Sequence, residues 1–576
     1  METFGNYHIQ ETPLSSPFFR SKVESFLRAN GLRMEALDVY YTVQTEDGSI
    51  LAGAGLCADV IKCVAVAPEA RSEGLVAPLV SHILSQQGLA DLKVFTKPEY
   101  AVVFESLGFH VLACAPQAVF LEKGRGLEQY CTYLKGFRKP GRCGVAVMNA
   151  NPFTKGHRYL LEQAARQVDH LFVIPVREDL SRFSYEERLA MLRAGCPEGV
   201  EVLEGSGYQI SAATFPTYFL KDLSSAAETQ MRLDIDLFAG HIAPALGATV
   251  RFVGSEPADP LTGRYNALMH ELLAEMVEIP RLQQDGQPIS AGSVRNALDA
   301  GSFRMASTLT PMSTWPYLLS ALAERALRLE LDTPFKPGLV CPDSNGAHRD
   351  MDYALMQKGI AAIRPFFVPM ALTDSPETLC QLGIEAEKAM LTATDGVNTH
   401  RGAIFSLGLA LNVVGREMET PQYEEDMQNY LGKIARVILD KQQKDSQLHF
   451  THTGARRMAS TGYKELFEDW LPFYRKGKEA LSSAEKKADA PERTSSPFFL
   501  QKLLLRIMST LDDTCVIKRT GAERAQQVKR EAATLLEDFT EEKLMTLCDR
   551  YAAEGISPGG AADMLALTIF IDSITR

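Results

Sequence analysis

The sequence has little of the patterning that marks zinc-binding, exported or membrane-spanning proteins. Its 10 cysteines include no Cys-x-x-Cys pair and no Cys/His cluster at zinc spacing, so we expect reduced, mostly buried thiols and a cytoplasmic location. Residues 1–20 contain no continuous apolar stretch and predict no secretory signal. The longest apolar stretch, 402–415, is too short to cross a bilayer, which predicts a buried helix and no membrane partner.

Excess positive charge is also absent. The 60 Lys and Arg residues against 72 Asp and Glu residues leave a net charge of -12, which disfavours binding to phosphate backbones, so nucleic acid is not an expected partner. Hydrophobic residues make up 45% of the chain and charged residues 23%, as in ordinary globular proteins. Because 576 residues exceed what one hydrophobic core usually supports, several domains are expected.

The start of the chain predicts a mixed α/β domain over residues 1–140. Residues 37–43 and 61–66 have the character of strands, and residues 77–86 have helical periodicity. A basic connector rich in Pro and Gly, 136–141, then marks the end of this domain.

The next segment, 141–312, is predicted to be an α/β Rossmann-like domain. Residues 143–148, 158–168 and 170–176 follow one another as strand, helix and strand. This alternation builds a parallel sheet with covering helices.

The last segment, 313–576, is predicted to be an all-α domain. It contains long helical patterns with little strand alternation, at 318–331, 403–414, 500–511 and 561–574. Residues 476–496 are rich in Lys, Glu, Ala and Ser, and predict an exposed insertion.

The loop NPFTKGH, residues 151–157, predicts a nucleoside triphosphate site. It joins a strand to a helix, so Thr154 and His157 lie around the first helical turn and can face one bound group. Exposed N–H groups at the helix start attract anions, and Gly156 allows close approach of the ligand. We expect His157 to donate a hydrogen bond to an α-phosphate.

A second phosphate-binding helix start is predicted in ISAGSVR, residues 289–295. Ser290, Ser293 and Arg295 offer two hydroxyls and a guanidinium for β- and γ-phosphates. The alternative for each loop alone is structural, with His157 as a surface helix residue and Ser290 as a helix cap. Both loops in this order favour the nucleotide site.

The two loops resemble those of the nucleotidyltransferase superfamily, and the similarity to citrate lyase ligases extends from Asn149 to Arg295. One departure is Gly292, which stands where the second loop usually has Ser or Thr. The resemblance implies an enzyme that uses ATP and acetate to acetylate the prosthetic-group thiol of the citrate lyase acyl-carrier subunit, releasing AMP and pyrophosphate. Thr154, His157 and Arg295 are the implied catalytic residues. The implied nucleotide-binding residues are Asn149, Asn151, Pro152, Phe153, Thr154, Lys155, Gly156, His157, Gly254, Glu256, Ser290, Ser293 and Arg295.

The first domain is similar to the Gcn5-related acetyltransferase fold. RSEGLV, beginning at Arg71, and FESLGF, beginning at Phe104, carry the resemblance. Arg71 and Gly74 match the turn that presents N–H groups to a CoA pyrophosphate, whereas Val76 replaces the usual Gly or Ala. We expect this domain to hold either acyl-CoA or the CoA-like arm of the carrier protein.

Polar clusters interrupt the helices of the last domain. In TDGVNTHR, residues 394–401, the side chains Asn398, His400 and Arg401 precede an apolar helix, where a phosphate would be favoured. Carboxylates elsewhere offer oxygens for Mg²⁺ bound to a triphosphate, although each alone is more often a helix cap or a surface charge. These metal candidates are Asp350, Asp352, Glu385, Asp512, Asp513 and Asp563.

These clusters resemble triphosphoribosyl-dephospho-CoA synthases in GAHRDMD, TDGVNTHRG, LDDTCVIKR and ISPGGAADMLALT. That family joins the triphosphoribosyl part of ATP to dephospho-CoA and releases adenine, and the resemblance implies His400 and Asp395 as catalytic residues. Arg401 stands in place of the usual Lys, and residues 451–474 lack the expected RGEAxxGFP motif. The alternatives are a coenzyme-biosynthesis adenylyltransferase, and a ligase whose helical domain is a non-catalytic scaffold.

Overall fold

The computed structural model describes residues 2–4, 7–87, 91–177, 181–210, 215–216, 226–256, 259–416, 424–444, 461–485 and 498–575. The chain divides into two compact units, Met1–Ile289 and Ser290–Arg576. In the described ranges, no helix is long and apolar enough to span a membrane. The division into 1–140, 141–312 and 313–576 stays a prediction.

The first unit begins with an eight-stranded sheet in the order β1-β2-β3-β4-β5-β6-β8-β7. Neighbouring strands are antiparallel except β5 and β6, which are parallel and pair only through Val60 and Ile61 with Lys93 and Val94. The two strands therefore separate after Ile61. The strands are β1 Glu2–Phe4, β2 Tyr7–Thr12, β3 Val39–Gln44, β4 Ile50–Cys57, β5 Val60–Val66, β6 Leu92–Thr96, β7 His110–Ala115 and β8 Ala118–Lys123.

A second sheet in this unit has five parallel strands in the order β11-β10-β9-β12-β13. The chain passes from β9 to β10 on one side and later returns to β12 on the other, so a crevice opens at the carboxyl ends of β9 and β12. These strands are β9 Cys143–Met148, β10 His170–Pro175, β11 Val200–Val202, β12 Val250–Gly254 and β13 Met276–Ile279, and they precede a hairpin of β14 Gln283–Gln284 and β15 Gln287–Pro288.

Helices cover both sheets of the first unit. Leu233 and Leu237 of one helix share a core with Phe95 and Phe120 of the first sheet, although that helix follows the second sheet's first strands in sequence. The helices are α1 Pro17–Ala29, α2 Val76–Gln87, α3 Ala101–Ser106, α4 Gly126–Lys135, α5 Lys155–Ala165, α6 Tyr185–Gly195, α7 Ala226–Leu237, α8 Ala243–Leu246 and α9 Pro260–Leu272.

The second unit is helical. Its last helix, α23, is buried along most of its length and packs against α12, α16 and α19. The helices are α10 Ala291–Asp299, α11 Phe303–Thr308, α12 Trp315–Asp332, α13 Tyr353–Ile363, α14 Phe367–Leu372, α15 Pro376–Ala393, α16 Arg401–Arg416, α17 Glu424–Lys444, α18 Leu471–Glu485, α19 Phe499–Thr510, α20 Thr514–Thr520, α21 Ala522–Glu537, α22 Glu541–Glu554 and α23 Gly559–Thr575.

The predicted fold class is confirmed, with two differences in detail. The helix predicted over 158–168 begins earlier, at Lys155, because Thr154 caps it. The exposed insertion predicted over 476–496 is helical as far as Glu485, where α18 ends, and Gly477 packs against the Phe499 ring. The rest of that insertion, 486–496, lies outside the described residues.

Candidate active sites

The loop between β9 and α5 is organised by a reciprocal cap between Thr154 and His157. Thr154 Oγ1 accepts a hydrogen bond from the His157 backbone N–H at 3.2 Å, and His157 Nδ1 accepts one from the Thr154 backbone N–H at 3.1 Å. Both bonds satisfy N–H groups that a helix start would otherwise leave unpaired. The pair also orients the imidazole at the carboxyl edge of the parallel sheet.

His157 is held as a neutral imidazole. Burial, and then the nearby positive charge of Arg281, lower the pKa of His157 to about 4. Because Nδ1 accepts from the Thr154 N–H, the proton of the neutral ring resides on Nε2. The fully buried Phe153 ring lies nearly parallel to the imidazole at a centroid distance of 5.9 Å. The arrangement therefore presents an oriented Nε2–H donor.

Arg281 is a site residue that the sequence did not reveal. Its Nε donates to the Ser255 carbonyl at 2.8 Å, and its guanidinium forms an ion pair with Glu256. Ser255 and Glu256 follow β12, and Arg281 follows the neighbouring β13. A cation just beyond the end of a parallel strand is the kind of signal that could have indicated Arg281. Glu256 also lines a cavity of about 340 Å³ with Asn266 and His270.

Asn149 and Asn151 anchor the loop to the segment after β10. Asn149 Oδ1 accepts from Arg188 Nη1 at 2.7 Å, and Asn151 Oδ1 accepts from the Phe183 backbone N–H at 3.3 Å. Arg188 is fully buried and also donates to the Asn149, Val176 and Phe183 carbonyls. Arg188 was not predicted from the sequence. Its hydrogen bonds connect the loop at Asn149 to the segment that follows β10.

The other predicted residues of this loop differ in exposure. Pro152 is buried beside Phe153, whereas Lys155 is exposed at the first helical position. A Cβ atom at Gly156 would come within 3.0 Å of the Ile289 carbonyl oxygen, so close packing disfavours a larger residue here. Gly254 ends β12, and its carbonyl accepts from Asn266 Nδ2 at 3.0 Å.

The second predicted phosphate loop begins the helical unit. Ser290 caps α10, and its Oγ accepts from the Ser293 N–H at 3.0 Å and lies 2.8 Å from Ser293 Oγ. Arg295 is half-buried one turn further on. The capping role considered for Ser290 is therefore present, and phosphate binding by these three residues stays a prediction.

Arg71 and Gly74 precede α2 in the first sheet domain, and both are exposed. Gly74 has a φ of 67°, which favours glycine, and no atom lies within 4 Å of a Cβ built there. The turn is therefore open to solvent, as a binding turn would need to be.

In the helical unit, His400 lines a cavity of about 510 Å³. We call it the polar cavity, because its wall, although partly aliphatic, also contains charged and polar side chains that include His348, Arg401, Asp513 and Asp563. The residue is 4% exposed, and burial, followed by the charge of Lys336, lowers its pKa to about 3. His400 Nδ1 lies 2.9 Å from Thr399 Oγ1, whereas Nε2 is buried with no hydrogen-bond partner. That nitrogen is a buried polar atom whose hydrogen-bonding capacity is unused.

Two carboxylates, Asp513 and Asp563, line the same polar cavity. Asp513 caps α20 and accepts backbone N–H bonds from Cys515 and Ala561, each at 2.8 Å. Burial raises the pKa of Asp513, and burial together with the charges of Glu330 and Asp513 raises that of Asp563. Burial therefore favours the protonated form of both groups.

The remaining acidic candidates are dispersed. Asp350 and Asp512 line the polar cavity, and Asp512 is 2.7 Å from Lys529 Nζ. Asp352 caps α13 and Glu385 accepts from Gln381, and neither lines the cavity. In the described part of the chain, no group of three or more His, Cys, Asp or Glu side chains could hold a metal ion.

Asp395, the predicted catalytic carboxylate, is exposed in a turn and does not line the polar cavity. The carboxylates that line the cavity with His400 include Asp513 and Asp563, and a catalytic role for Asp395 stays a prediction of the resemblance. Asn398 and Arg401 do line the cavity. Asn398 Oδ1 caps α16 by accepting from the Arg401 N–H at 3.1 Å, and the Arg401 guanidinium pairs with Glu387.

A His–Ser contact on the cavity wall had no predicted role. His348 Nε2 lies 2.8 Å from Ser557 Oγ, and Arg519 Nη2 lies 3.5 Å from His348 Nδ1. Burial, and then the charge of Arg519, lower the pKa of His348. The motifs that contain His348, Arg519 and Ser557 were recognised in the sequence, but only the fold shows that these three residues lie together.

Comparisons with known proteins match the two parts of the chain separately. Residues 143–318 match the family model of the citrate lyase ligase C-terminal domain, and residues 316–576 match that of the ATP:dephospho-CoA triphosphoribosyl transferase. The chain is 40% identical to the citrate pro-3S-lyase ligase of Haemophilus influenzae, an alignment that covers 52% of this chain and 94% of the relative. The corresponding Escherichia coli ligase is 38% identical, with 55% and 96% covered.

A different set of relatives matches the helical part. A 2-(5''-triphosphoribosyl)-3'-dephosphocoenzyme-A synthase of Streptococcus mutans is 33% identical, with 45% of this chain and 96% of the relative covered. A solved triphosphoribosyl-dephospho-CoA synthase from Archaeoglobus fulgidus is 16% identical and covers 38% of this chain and 98% of that one. The TM-score of this match is 0.25.

Proposed function

Because the N-terminal part of the chain belongs to the citrate lyase ligase family and residues 316–576 belong to the triphosphoribosyl-dephospho-CoA synthase family, we propose that this enzyme performs two steps of citrate lyase maturation. The helical part makes 2'-(5''-triphosphoribosyl)-3'-dephospho-CoA, and the N-terminal part acetylates the finished prosthetic group on the acyl-carrier subunit. Both steps consume ATP.

The ligase reaction begins with acetate at the α-phosphorus of ATP. A carboxylate oxygen forms a bond to phosphorus, the bridging bond to the β-phosphate breaks, and pyrophosphate leaves with that electron pair. The prosthetic-group thiolate then attacks the acetyl carbonyl and AMP leaves. Neither step requires a nucleophile from the protein, so positioning and charge stabilisation account for catalysis.

The observation that supports this proposal most directly is the Thr154–His157 cap. It fixes a neutral imidazole with its Nε2–H free to donate to an α-phosphate oxygen, and this bond strengthens as charge develops. Arg281 supplies a cation near the same point, while Ser290, Ser293 and Arg295 are the proposed ligands of the leaving pyrophosphate.

Acetate-dependent exchange of labelled pyrophosphate into ATP tests the ligase assignment. The ligase gives exchange with acetate alone, because the first step is reversible and needs no carrier protein. A coenzyme-biosynthesis adenylyltransferase would instead need a phosphate-ester acceptor, and exchange that depends on such an ester would overturn the proposal.

The synthase reaction is a glycosyl transfer. The ribose 2'-hydroxyl oxygen of dephospho-CoA forms a bond to C1 of the ATP ribose, the bond from that carbon to adenine N9 breaks, and adenine takes up the proton that the hydroxyl loses. His400 lines the polar cavity, and we propose that its Nε2, which has no hydrogen-bond partner, bonds the substrate there. Release of adenine that requires both ATP and dephospho-CoA tests this step, and its absence would favour a non-catalytic scaffold.

Asp513 and Asp563 fit a Mg²⁺ ion that is carried by the triphosphate. Mg²⁺ typically takes one or two protein carboxylates and completes its shell with phosphate oxygens and water, so the two carboxylates that line this cavity suit it. The bound ion would neutralise triphosphate charge. We expect Asp563→Asn to weaken Mn²⁺ binding in the presence of ATP, measured by electron paramagnetic resonance, whereas Glu385→Gln does not.

The first sheet domain is proposed to hold the CoA-like arm of the carrier. The exposed turn at Arg71 and Gly74 before α2 offers backbone N–H groups and a guanidinium to a diphosphate. Arg71→Ala should weaken carrier binding and leave acetate-dependent exchange intact, with Arg28→Ala as a control on the same domain. Equal carrier binding by Arg71→Ala and wild type would contradict this role.

A further inference from the structure

A second cavity in the helical unit is lined mainly by aliphatic side chains. It has a volume of about 490 Å³ and lies between α19, α20 and α21. We call it the apolar cavity. Its apolar lining comes from Met508, Leu511, Val516, Ile517, Ala522, Ala525, Val528 and Pro558.

The apolar cavity adjoins the polar cavity that contains His400. Leu511, Asp512 and Asp513 line both, so this short segment between α19 and α20 is the wall that the two spaces share. A substrate that reached across this segment would place one end beside His400 and the other among aliphatic groups.

The lining chemistry of the apolar cavity selects the type of group that it can hold. Its lining residues, all within the described part of the chain, include no aromatic ring on which a purine could stack. Aliphatic walls with one amide side chain, Gln526, suit a flexible aliphatic chain that carries amide groups. The pantetheine arm of dephospho-CoA has this composition.

Lys529, beside the carboxylate of Asp512 in the shared wall, supplies a cation for the diphosphate at the head of that arm. Lys529 lines the apolar cavity and donates from Nζ to Asp512 at 2.7 Å. An ammonium has three N–H donors, so Lys529 can bond a diphosphate while it keeps this contact. The diphosphate would then lie where the polar and apolar spaces meet.

We infer that the apolar cavity is the binding subsite for the pantetheine arm of dephospho-CoA, with the diphosphate at Lys529 and the reacting adenosine ribose in the polar cavity. This assignment rests on the proposed synthase function. The assignment gives the two substrates different subsites, because ATP has no aliphatic arm that the apolar cavity could bind.

The test uses the full-length chain and a matched pair of substitutions at the start of α21. Ala522 is exposed and lines the apolar cavity, whereas its exposed neighbour Glu523 does not line it. Ala522→Trp should obstruct the cavity and raise the KM for dephospho-CoA in the adenine-release assay by about tenfold, which corresponds to about 1.4 kcal/mol. The KM for ATP should not change, and Glu523→Trp should match wild type.

A second substitution and an inhibitor without the arm provide two further measurements. Ala525→Leu narrows the cavity from inside and should also raise the KM for dephospho-CoA, while inhibition by ADP, which lacks the arm, should stay unchanged in every variant. Unchanged KM values for dephospho-CoA in Ala522→Trp and Ala525→Leu, or an equal rise for ATP, would overturn the inference. If wild type releases no adenine, the synthase proposal fails, and calorimetric binding of dephospho-CoA to the same variants still decides the subsite.

Discussion

Gly402 leaves the space that the carboxylate of Asp563 occupies, because a Cβ atom at position 402 would overlap Asp563 Oδ2. The contact joins the first turn of α16 to α23. It places Asp563 in the wall of the cavity that also contains His400. The glycine therefore has a role in the site that follows from packing and not from backbone conformation.

Gly402→Ala should displace Asp563 and destabilise the helical unit by about 1–3 kcal/mol, the usual cost of adding atoms to a packed site. Adenine release should fall, and acetate-dependent exchange should not. Thermal unfolding and the two assays measure this. Gly383→Ala is the control, since no atom lies within 4 Å of a Cβ there and α15 should become slightly more stable. Normal adenine release by Gly402→Ala would show that Asp563 has no such fixed position.

His157→Ala should reduce acetate-dependent exchange by roughly a hundredfold to a thousandfold, the effect typical of losing one donor to a developing negative charge. The loss should appear in kcat, and adenine release should continue. His157→Asn retains an N–H donor and should recover part of the rate. Exchange at the wild-type rate in His157→Ala would refute the role given to the imidazole.

Arg188→Met should destabilise the first unit by about 3 kcal/mol, because it leaves buried carbonyl groups of Asn149, Val176 and Phe183 without their donor. It should also raise the KM for ATP in the exchange assay, since Asn149 holds the loop before His157. Chemical denaturation and exchange kinetics measure both effects. Arg193→Met is the control on the same helix, because Arg193 is half-exposed and pairs with exposed Glu204. Equal stability of the two variants would argue against Arg188 as an anchor.

The stability of the helical unit should decrease as the pH falls from about 6.5 towards 3. His400 has its pKa lowered from 6.5 to about 3 in the folded chain, so over this range only the unfolded chain binds the extra proton. One such group contributes a slope of up to about 1.4 kcal/mol per pH unit.

Asp513 and Asp563 have raised pKa values, so their protonation makes the folded chain more stable as the pH falls. The measured quantity is therefore the difference in unfolding free energy between wild type and His400→Gln. A difference that does not change with pH would contradict a buried neutral His400.

Much of the site at NPFTKGH was predictable because its parts are adjacent in sequence. A strand, a capping threonine and a histidine three residues later form their geometry through local hydrogen bonds. Arg281 and Arg188 were not predictable, because they are distant in sequence and only the parallel sheet and α6 bring them to the loop. Asp513 and Asp563 are likewise distant from His400 in sequence, and only the packing of the helices brings them to the same cavity.

The sequence alone identified the two families, the order of an α/β part before a helical part, and Ser290 as a candidate helix cap. These depend on short motifs and on periodic apolar patterns, which survive without long-range contacts. The folded structure was needed to show which carboxylates line the cavity with His400, that Gly402 makes room for one of them, and that an apolar cavity adjoins it. Those features arise where α16, α20 and α23 pack, and packing between helices distant in sequence leaves no local pattern to read.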